Sequence, residues 1–108
     1  MGYRSQVCIG LDSDAHKALN VVKRMCPLVD ELLSEADNHH FHGEYNKYMW
    51  DHVKWYEDCP EVAALMGILR QFKDHSWAML RVGEDYEDIE TINDPWEYDI
   101  NLNRSIDW

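Results

Sequence analysis

Basic residues are scarce in this sequence: its 108 residues include 10 lysines and arginines against 21 aspartates and glutamates, a formal net charge of −11. Proteins that bind nucleic acid directly use lysine and arginine to neutralise phosphates, so this composition argues against direct binding to DNA or RNA. It favours instead a basic partner, including a protein that itself binds nucleic acid. Acidity that serves only solubility is the alternative.

Paired cysteines and long apolar runs are also missing. The three cysteines, Cys8, Cys26 and Cys59, form no C-x-x-C pair, which argues against a zinc knuckle or a disulfide framework and favours reduced thiols in a cytosol. Nothing near them indicates a lowered pKa, so no cysteine nucleophile is predicted. No apolar stretch approaches the roughly 20 residues of a membrane span, and no signal-peptide core is present. We therefore expect a soluble intracellular protein without a cofactor.

Apolar residues make up 45% of the chain and aromatic residues 12%, enough for a single folded domain over residues 1–108. Period-two alternation predicts strands, and apolar residues at three- and four-residue steps predict helices. The predicted helices are Ser13–Ala36, kinked or split at Pro27, and Asp58–Phe72. The predicted strands outside the central hairpin are Tyr3–Leu11, Ser76–Gly83, Asp88–Ile92 and Ile100–Trp108.

The central hairpin is predicted to turn at Asn46-Lys47, between strands His39–Tyr45 and Tyr48–Tyr56. The resulting order is β-α-β-β-α-β followed by two extra C-terminal strands. This order predicts an α+β fold of the ferredoxin-like split βαβ type, with two helices on one face of an antiparallel sheet. The predicted core residues are Val7, Ile9, Leu19, Val22, Leu32, Leu65, Leu69, Leu80 and Val82.

Four of the six histidines lie in this hairpin. With the predicted turn, two imidazoles and two carboxylates share one side, and His42 faces Asp51. A candidate site for zinc, nickel or another divalent metal is therefore His40, His42, Glu44 and Asp51. A solvated polar face is the reading we favour, because the spacing matches no metal motif. A further alternative is a small-ligand surface made of Trp50, Trp55, Tyr45 and Tyr48.

Three segments, GYRSQV (2–7), VKWYEDCPEV (53–62) and RVGEDYEDIE (81–90), resemble a family of small, mostly uncharacterised proteins of tailed bacteriophages. The resemblance implies a phage or prophage origin, where small acidic proteins often disarm host defences. It thus implies an anti-CRISPR or other anti-defence protein in the cytoplasm of a bacterial host. The family has no assigned site, so no catalytic residue is carried over and no enzymatic activity is expected.

The segment Gly83–Asp99 contains eight of the 21 acidic residues, no basic residue and interleaved aromatic residues. The spacing of a calcium loop is absent, which leaves a solvated turn or an interface of aromatic anchors and carboxylates. We predict an interface that inhibits a nucleic-acid-handling host defence factor by occupying its basic surface. The predicted partner-binding residues are Glu84, Asp85, Tyr86, Glu87, Asp88, Glu90, Trp96, Glu97, Tyr98 and Asp99.

Overall fold

An antiparallel sheet of five strands is the centre of the computed structural model, which describes residues 4–42, 45–56, 58–85, 87–98, 100–103 and 105–107. The strands are β1 Ser5–Leu11, β2 Asn38–His42, β3 Tyr45–Val53, β4 Trp77–Gly83 and β5 Ile89–Ile92. They lie in the order β2-β3-β1-β4-β5, and each neighbouring pair is antiparallel. Three α-helices in the described residues pack on one face of this sheet, so the predicted α+β class is confirmed.

The first helical segment is divided at Pro27, as its sequence predicts. α1 spans Ser13–Met25 and α2 spans Pro27–Ser34, while Cys26 between them is extended, with φ −125° and ψ 99°. Proline has no N–H for a helix interior and moves the residue before it away from helical geometry, yet it suits the first position of a helix. The second half ends at Ser34 instead of the predicted Ala36.

The next helix, α3, spans Pro60–Leu69 and is shorter than the predicted Asp58–Phe72. It starts later because Cys59 is extended, with φ −69° and ψ 123°, the geometry that a residue before proline prefers. It ends earlier because the backbone N–H of Phe72 bonds to the carbonyl oxygen of Leu69, three residues back, which tightens the last turn. None of the helices in the described residues is long and apolar enough to cross a membrane.

The main core lies between the helices and the sheet. Its members include six of the nine predicted core residues, Val7, Ile9, Leu19, Leu32, Leu65 and Leu69. Leu80 is buried and Val82 partly buried on the opposite face, because both alternate along β4 with the helix-facing Met79. Val22 on α1 is only partly buried. The alternation in β1 and the helix periodicity thus predicted this core well, whereas β4 is buried on both faces.

The opposite face of the sheet is covered in part by the C-terminal segment. A 3-10 helix, Pro95–Tyr98, is followed by Ile100, and the side chains of Tyr98 and Ile100 are buried against residues of β1 and β4. The predicted single strand Ile100–Trp108 is wrong. β6 Asn101–Asn103 and β7 Ser105–Asp107 pair with each other as a separate antiparallel sheet. Alternation indicates extended chain but gives no sign of a reversal within it.

The hairpin of β2 and β3 has a different register from the predicted one. His42 pairs with Tyr45, so the strands connect through positions 43 and 44, which lie outside the described residues, and the predicted turn at Asn46-Lys47 is wrong. Asn46 and Lys47 are only 4% and 6% exposed and pair with both β1 and β2. A central strand gains backbone hydrogen bonds on both sides, and this gain keeps the two residues in β3.

Gly10 lies where the C-terminal segment comes closest to the sheet. A Cβ at this position would be 2.7 Å from Cβ and Cγ of Tyr98 and 3.1 Å from Cδ1 of Ile100. Because both neighbours are buried, Gly10→Ala should lower the free energy of unfolding by about 1–3 kcal/mol. The control is Gly67→Ala on α3, where a Cβ would have nothing within 4 Å. This substitution should raise the free energy of unfolding by up to about 1 kcal/mol. Urea unfolding measures the free energy of unfolding of both variants. Equal changes in the two variants would contradict the close packing at Gly10.

Candidate functional site

The predicted metal set does not come together in the observed hairpin. His42 pairs with Tyr45, which precedes Asp51 by six positions, roughly 20 Å along a strand, so the predicted contact of His42 with Asp51 is wrong. His40 is exposed on β2, and Glu44 lies outside the described residues. In the part of the chain that the structure describes, no group of three or more His, Cys, Asp or Glu residues could hold a metal ion.

The aromatic residues predicted as a ligand surface belong mainly to the core. Tyr48, Trp50 and Trp55 are 4%, 1% and 9% exposed, and the side chain of Tyr45 lies outside the description. Trp50 donates from Nε1 to the carbonyl oxygen of Leu32 at 3.1 Å, which satisfies its buried N–H. Its ring centroid lies 6.2 Å from that of Tyr48 and 5.3 Å from that of Trp55. The rings of Trp50 and Tyr48 pack against other protein groups and therefore offer a small ligand little surface.

The thiol of Cys8 is unsuited to nucleophilic chemistry at neutral pH. Its side chain is fully buried on the face of the sheet opposite the helices. Burial raises the pKa of Cys8 to about 12, although the positive charge of Lys47 acts in the other direction. Because the thiolate is the reactive form, a thiol that stays protonated is inert. Cys26 and Cys59 are partly buried against the main core.

The predicted acidic surface divides into two groups at opposite ends of β5. Residues 84–88 connect β4 to β5, whereas residues 94–98 follow the end of β5. The strand between them has four residues, or about 13 Å. Two of the predicted residues, Tyr86 and Asp99, lie outside the described residues. The segment is therefore two separate candidate surfaces instead of one continuous run.

Two of the predicted partner-binding residues form ion pairs with an arginine that was not predicted from the sequence. Arg81 on β4 contacts Asp88 at 2.8 Å, from Nη2 to Oδ1, and Glu90 at 3.0 Å, from Nε to Oε1. The hydrogen bond that Arg81 donates to Asp88 is the largest of the effects that raise the pKa of Arg81, and burial opposes them. Arg81 pairs directly with Glu90 in the β4–β5 ladder, so the strand register was the signal that could have found this cluster. Asp88 and Glu90 are thereby fixed against β4.

Tyr98 is buried in the structure, which does not favour the partner-binding role predicted for it. The side chain is 4% exposed and packs with Ile100 on the face of the sheet opposite the helices. Its hydroxyl donates a hydrogen bond to the carbonyl oxygen of His75 at 2.8 Å. A tyrosine ring has a large apolar area to bury in a core, and its hydroxyl can still form a hydrogen bond at the boundary of that core. Tyr98 therefore fastens the C-terminal segment to the sheet.

Two residues earlier, Trp96 is 56% exposed. Its backbone N–H donates to Oδ1 of Asp94 at 3.2 Å, and Glu97 beside it is exposed. Asp94 and Glu97 line a shallow depression of about 250 Å³ together with Asp74, which precedes β4, and His75. We call the residues Asp74, Asp94, Trp96 and Glu97 the acidic end. Sequence reasoning missed Asp74 because only the folding of β4 and β5 brings it to this depression.

Comparisons with protein-family models, with curated proteins and with solved structures gave no match to this chain. The resemblance to tailed-bacteriophage proteins and the functions that it implies therefore stay predictions.

Proposed function

We propose that this chain is a non-enzymatic acidic binding protein whose acidic end occupies a basic, nucleic-acid-binding surface of a host defence factor, such as a CRISPR effector. The observation that carries the proposal is the exposure of Trp96, at 56%, between the exposed carboxylates of Asp94 and Glu97. An exposed tryptophan flanked by acids suits a partner surface that combines an apolar pocket with lysine or arginine. The phage resemblance supports a defence factor as the partner.

The backbone that carries Trp96 is held in place, which favours an interface over a solvated loop. Pro95 and Tyr98 are buried on either side of it in the chain, and the Tyr98 hydroxyl is fixed to the carbonyl oxygen of His75. A side chain presented from an ordered backbone loses less conformational entropy on binding than one on a loose loop. The arrangement therefore supports Trp96 as an anchor.

The charge of the protein supports the rest of the proposal. A net charge of −11 attracts a basic groove over a distance of about 8–10 Å at ordinary salt and raises encounter rates by roughly 10–10³. The acidic end has three carboxylates, those of Asp74, Asp94 and Glu97, whereas duplex DNA has one charge per ~1.7 Å of axis. Imitation of DNA is thus partial, so charge steers the encounter while Trp96 supplies contact area.

We also propose that β1–β4 and the three α-helices, with α1 and α2 together as one split helix, form the ferredoxin-like split βαβ arrangement. The order β2-β3-β1-β4, its antiparallel pairing and the helices on one face support this assignment. β5 then extends the sheet beside β4, and most of the acidic end follows β5 in the chain. Because such folds carry many functions, the functional proposal rests on the acidic end and not on the fold.

Affinity capture with matched charge reversals tests the proposal. The native protein and two double variants, Asp94→Lys with Glu97→Lys and Glu84→Lys with Glu87→Lys, are immobilised and exposed to a bacterial lysate. Each reversal changes the charge by two units, so both pairs change the net charge equally, but only the first pair lies in the acidic end. We expect a nucleic-acid-binding protein that the native chain and the 84/87 variant retain, and that the 94/97 variant retains roughly ten-fold less.

The two variants separate the possible outcomes. Equal retention of this protein by all three chains would mean that the acidic end is a solvated segment. Loss of retention only in the 84/87 variant would place the interface at the connection between β4 and β5, and would overturn the assignment to the acidic end.

A further inference from the structure

A cleft of about 570 Å³ opens between α3 and the strands β4 and β5. Its volume is within the range of roughly 300–1,000 Å³ that small-molecule sites occupy. None of the described residues that line it belongs to the acidic end, so the cleft is a separate feature of the molecule. Its floor is apolar and its wall is charged, and these two properties together indicate the chemistry of a ligand.

The floor of the cleft is apolar and rigid. Val62 and Met66 from α3 and Met79 from β4 are each at most 5% exposed. Trp55 also lines the cleft and packs against Trp50, with ring centroids 5.3 Å apart and ring planes 50° apart. Because these side chains are supported from behind by the main core, a ligand meets a preformed apolar surface.

The wall formed by β4 and β5 carries more negative than positive charge. The guanidinium of Arg81 contacts Asp88 at 2.8 Å and Glu90 at 3.0 Å, so one cation serves two carboxylates. The side chains of Asp88 and Glu90 are 36% and 44% exposed and also line the cleft. Asp58 and Arg70 complete the charged residues of the described lining, which therefore has three acids and two bases.

Arg81 is too firmly bonded to serve as a binding site for an anion. Its Nη1 donates to Oγ of Ser5 and to Oδ2 of Asp88, both at 3.2 Å, in addition to the contacts from Nη2 and Nε. These partners raise the pKa of Arg81, with the hydrogen bond that Arg81 donates to Asp88 first among the causes, so Arg81 keeps its positive charge. An anionic ligand at Arg81 would have to displace a carboxylate and would also meet the net charge of −11.

We propose that this cleft binds a small organic cation, in which an ammonium or guanidinium group is joined to an apolar body. The cation lies against the exposed carboxylates of Asp88 and Glu90, where hydrogen bonds between charged groups are strong. The apolar body lies against the accessible edges of Met66 and of the Trp55 indole, and the indole adds a cation–π attraction. A neutral ligand of the same shape uses only the floor. The proposal is independent of the function assigned to the acidic end.

Three probes that share a phenylethyl body test the charge preference: phenethylamine, 2-phenylethanol and 3-phenylpropanoate. Each is titrated into nitrogen-15-labelled protein while the indole N–H of Trp55 and the Nε–H of Arg81 are followed by NMR. We expect saturable shifts of both signals with the amine, binding roughly ten-fold weaker with the alcohol, and none with the carboxylate. Binding of the carboxylate, or amine binding no tighter than that of the alcohol, would overturn the proposal.

Matched variants locate the site. Glu90→Gln and Glu97→Gln each remove one negative charge, but only Glu90 lines the cleft. We expect phenethylamine to bind roughly ten-fold more weakly to Glu90→Gln and unchanged to Glu97→Gln. Asp58→Asn removes a negative charge from the rim of the cleft and leaves the partners of Arg81 in place. It should also weaken the binding of phenethylamine. It therefore replaces Glu90→Gln in the test if that variant fails to fold. Equal affinity in the native protein and the folded variants contradicts a site in this cleft.

Discussion

Replacing Leu69 by alanine should lower the free energy of unfolding by about 2–5 kcal/mol. Leu69 ends α3 and is 0% exposed in the core between the helices and the sheet. The truncation removes apolar contacts and leaves a cavity that tightly packed neighbours fill only in part. Since small domains are stable by about 5–15 kcal/mol, this is a large share of the total. Urea unfolding followed by circular dichroism measures it.

Leu28→Ala is the matched control, because Leu28 on α2 is 39% exposed and loses the same atoms. Its cost should stay below about 1 kcal/mol. If Leu69→Ala costs no more than Leu28→Ala, then Leu69 is not in the core and the packing of α3 on the sheet is wrong. An all-helical circular dichroism spectrum of the native protein would contradict the whole α+β architecture.

Replacing Trp96 by alanine should speed dissociation of the captured partner roughly 30-fold, the equivalent of about 2 kcal/mol at a binding hot spot. The exposed indole is the large apolar side chain of the acidic end, and its backbone N–H is bonded to Asp94. Loss of such an anchor acts on the dissociation rate, whereas the reversal of Asp94 and Glu97 should act mainly on the association rate. Surface-binding kinetics with the purified partner separates the two rates.

Val21→Ala is the control for this prediction, since Val21 on α1 is an exposed apolar residue of similar exposure, at 58%. It should leave both rates unchanged. An unchanged dissociation rate in Trp96→Ala would remove Trp96 from the interface, and a change in Val21→Ala of the same size would place the partner on α1.

Much of the fold was predictable because its signals are local. Pro27 and Pro60 set the boundaries of helices through their own chemistry, and the alternation in β1 gave the face that packs against the helices. The register of the hairpin was not predictable in this way. Asn46 and Lys47 have turn-forming character, but their pairing with β1, far away in sequence, keeps them in a strand.

The candidate site was predictable only in part for a similar reason. Trp96 and Glu97 were among the predicted residues and are exposed, whereas Tyr98, one position further, is buried because the 3-10 helix directs its ring onto the sheet. Asp74 and Arg81 lie outside the acidic run in the sequence and reach their places through the folding of β4 and β5. The composition predicted the sign of the charge, and the tertiary structure determined which carboxylates are exposed to solvent and which are paired with Arg81.

Competition with nucleic acid shows whether the partner is held through its nucleic-acid-binding surface. The partner retained by the immobilised native protein is washed with duplex DNA or with single-stranded RNA at constant salt, and separately with increasing salt. A protein that occupies a basic nucleic-acid-binding surface should be displaced by nucleic acid, and its retention should weaken steadily as salt screens the attraction of the −11 charge. Retention that neither nucleic acid nor salt reduces would contradict the claim and would assign the interface to an apolar surface elsewhere on the protein.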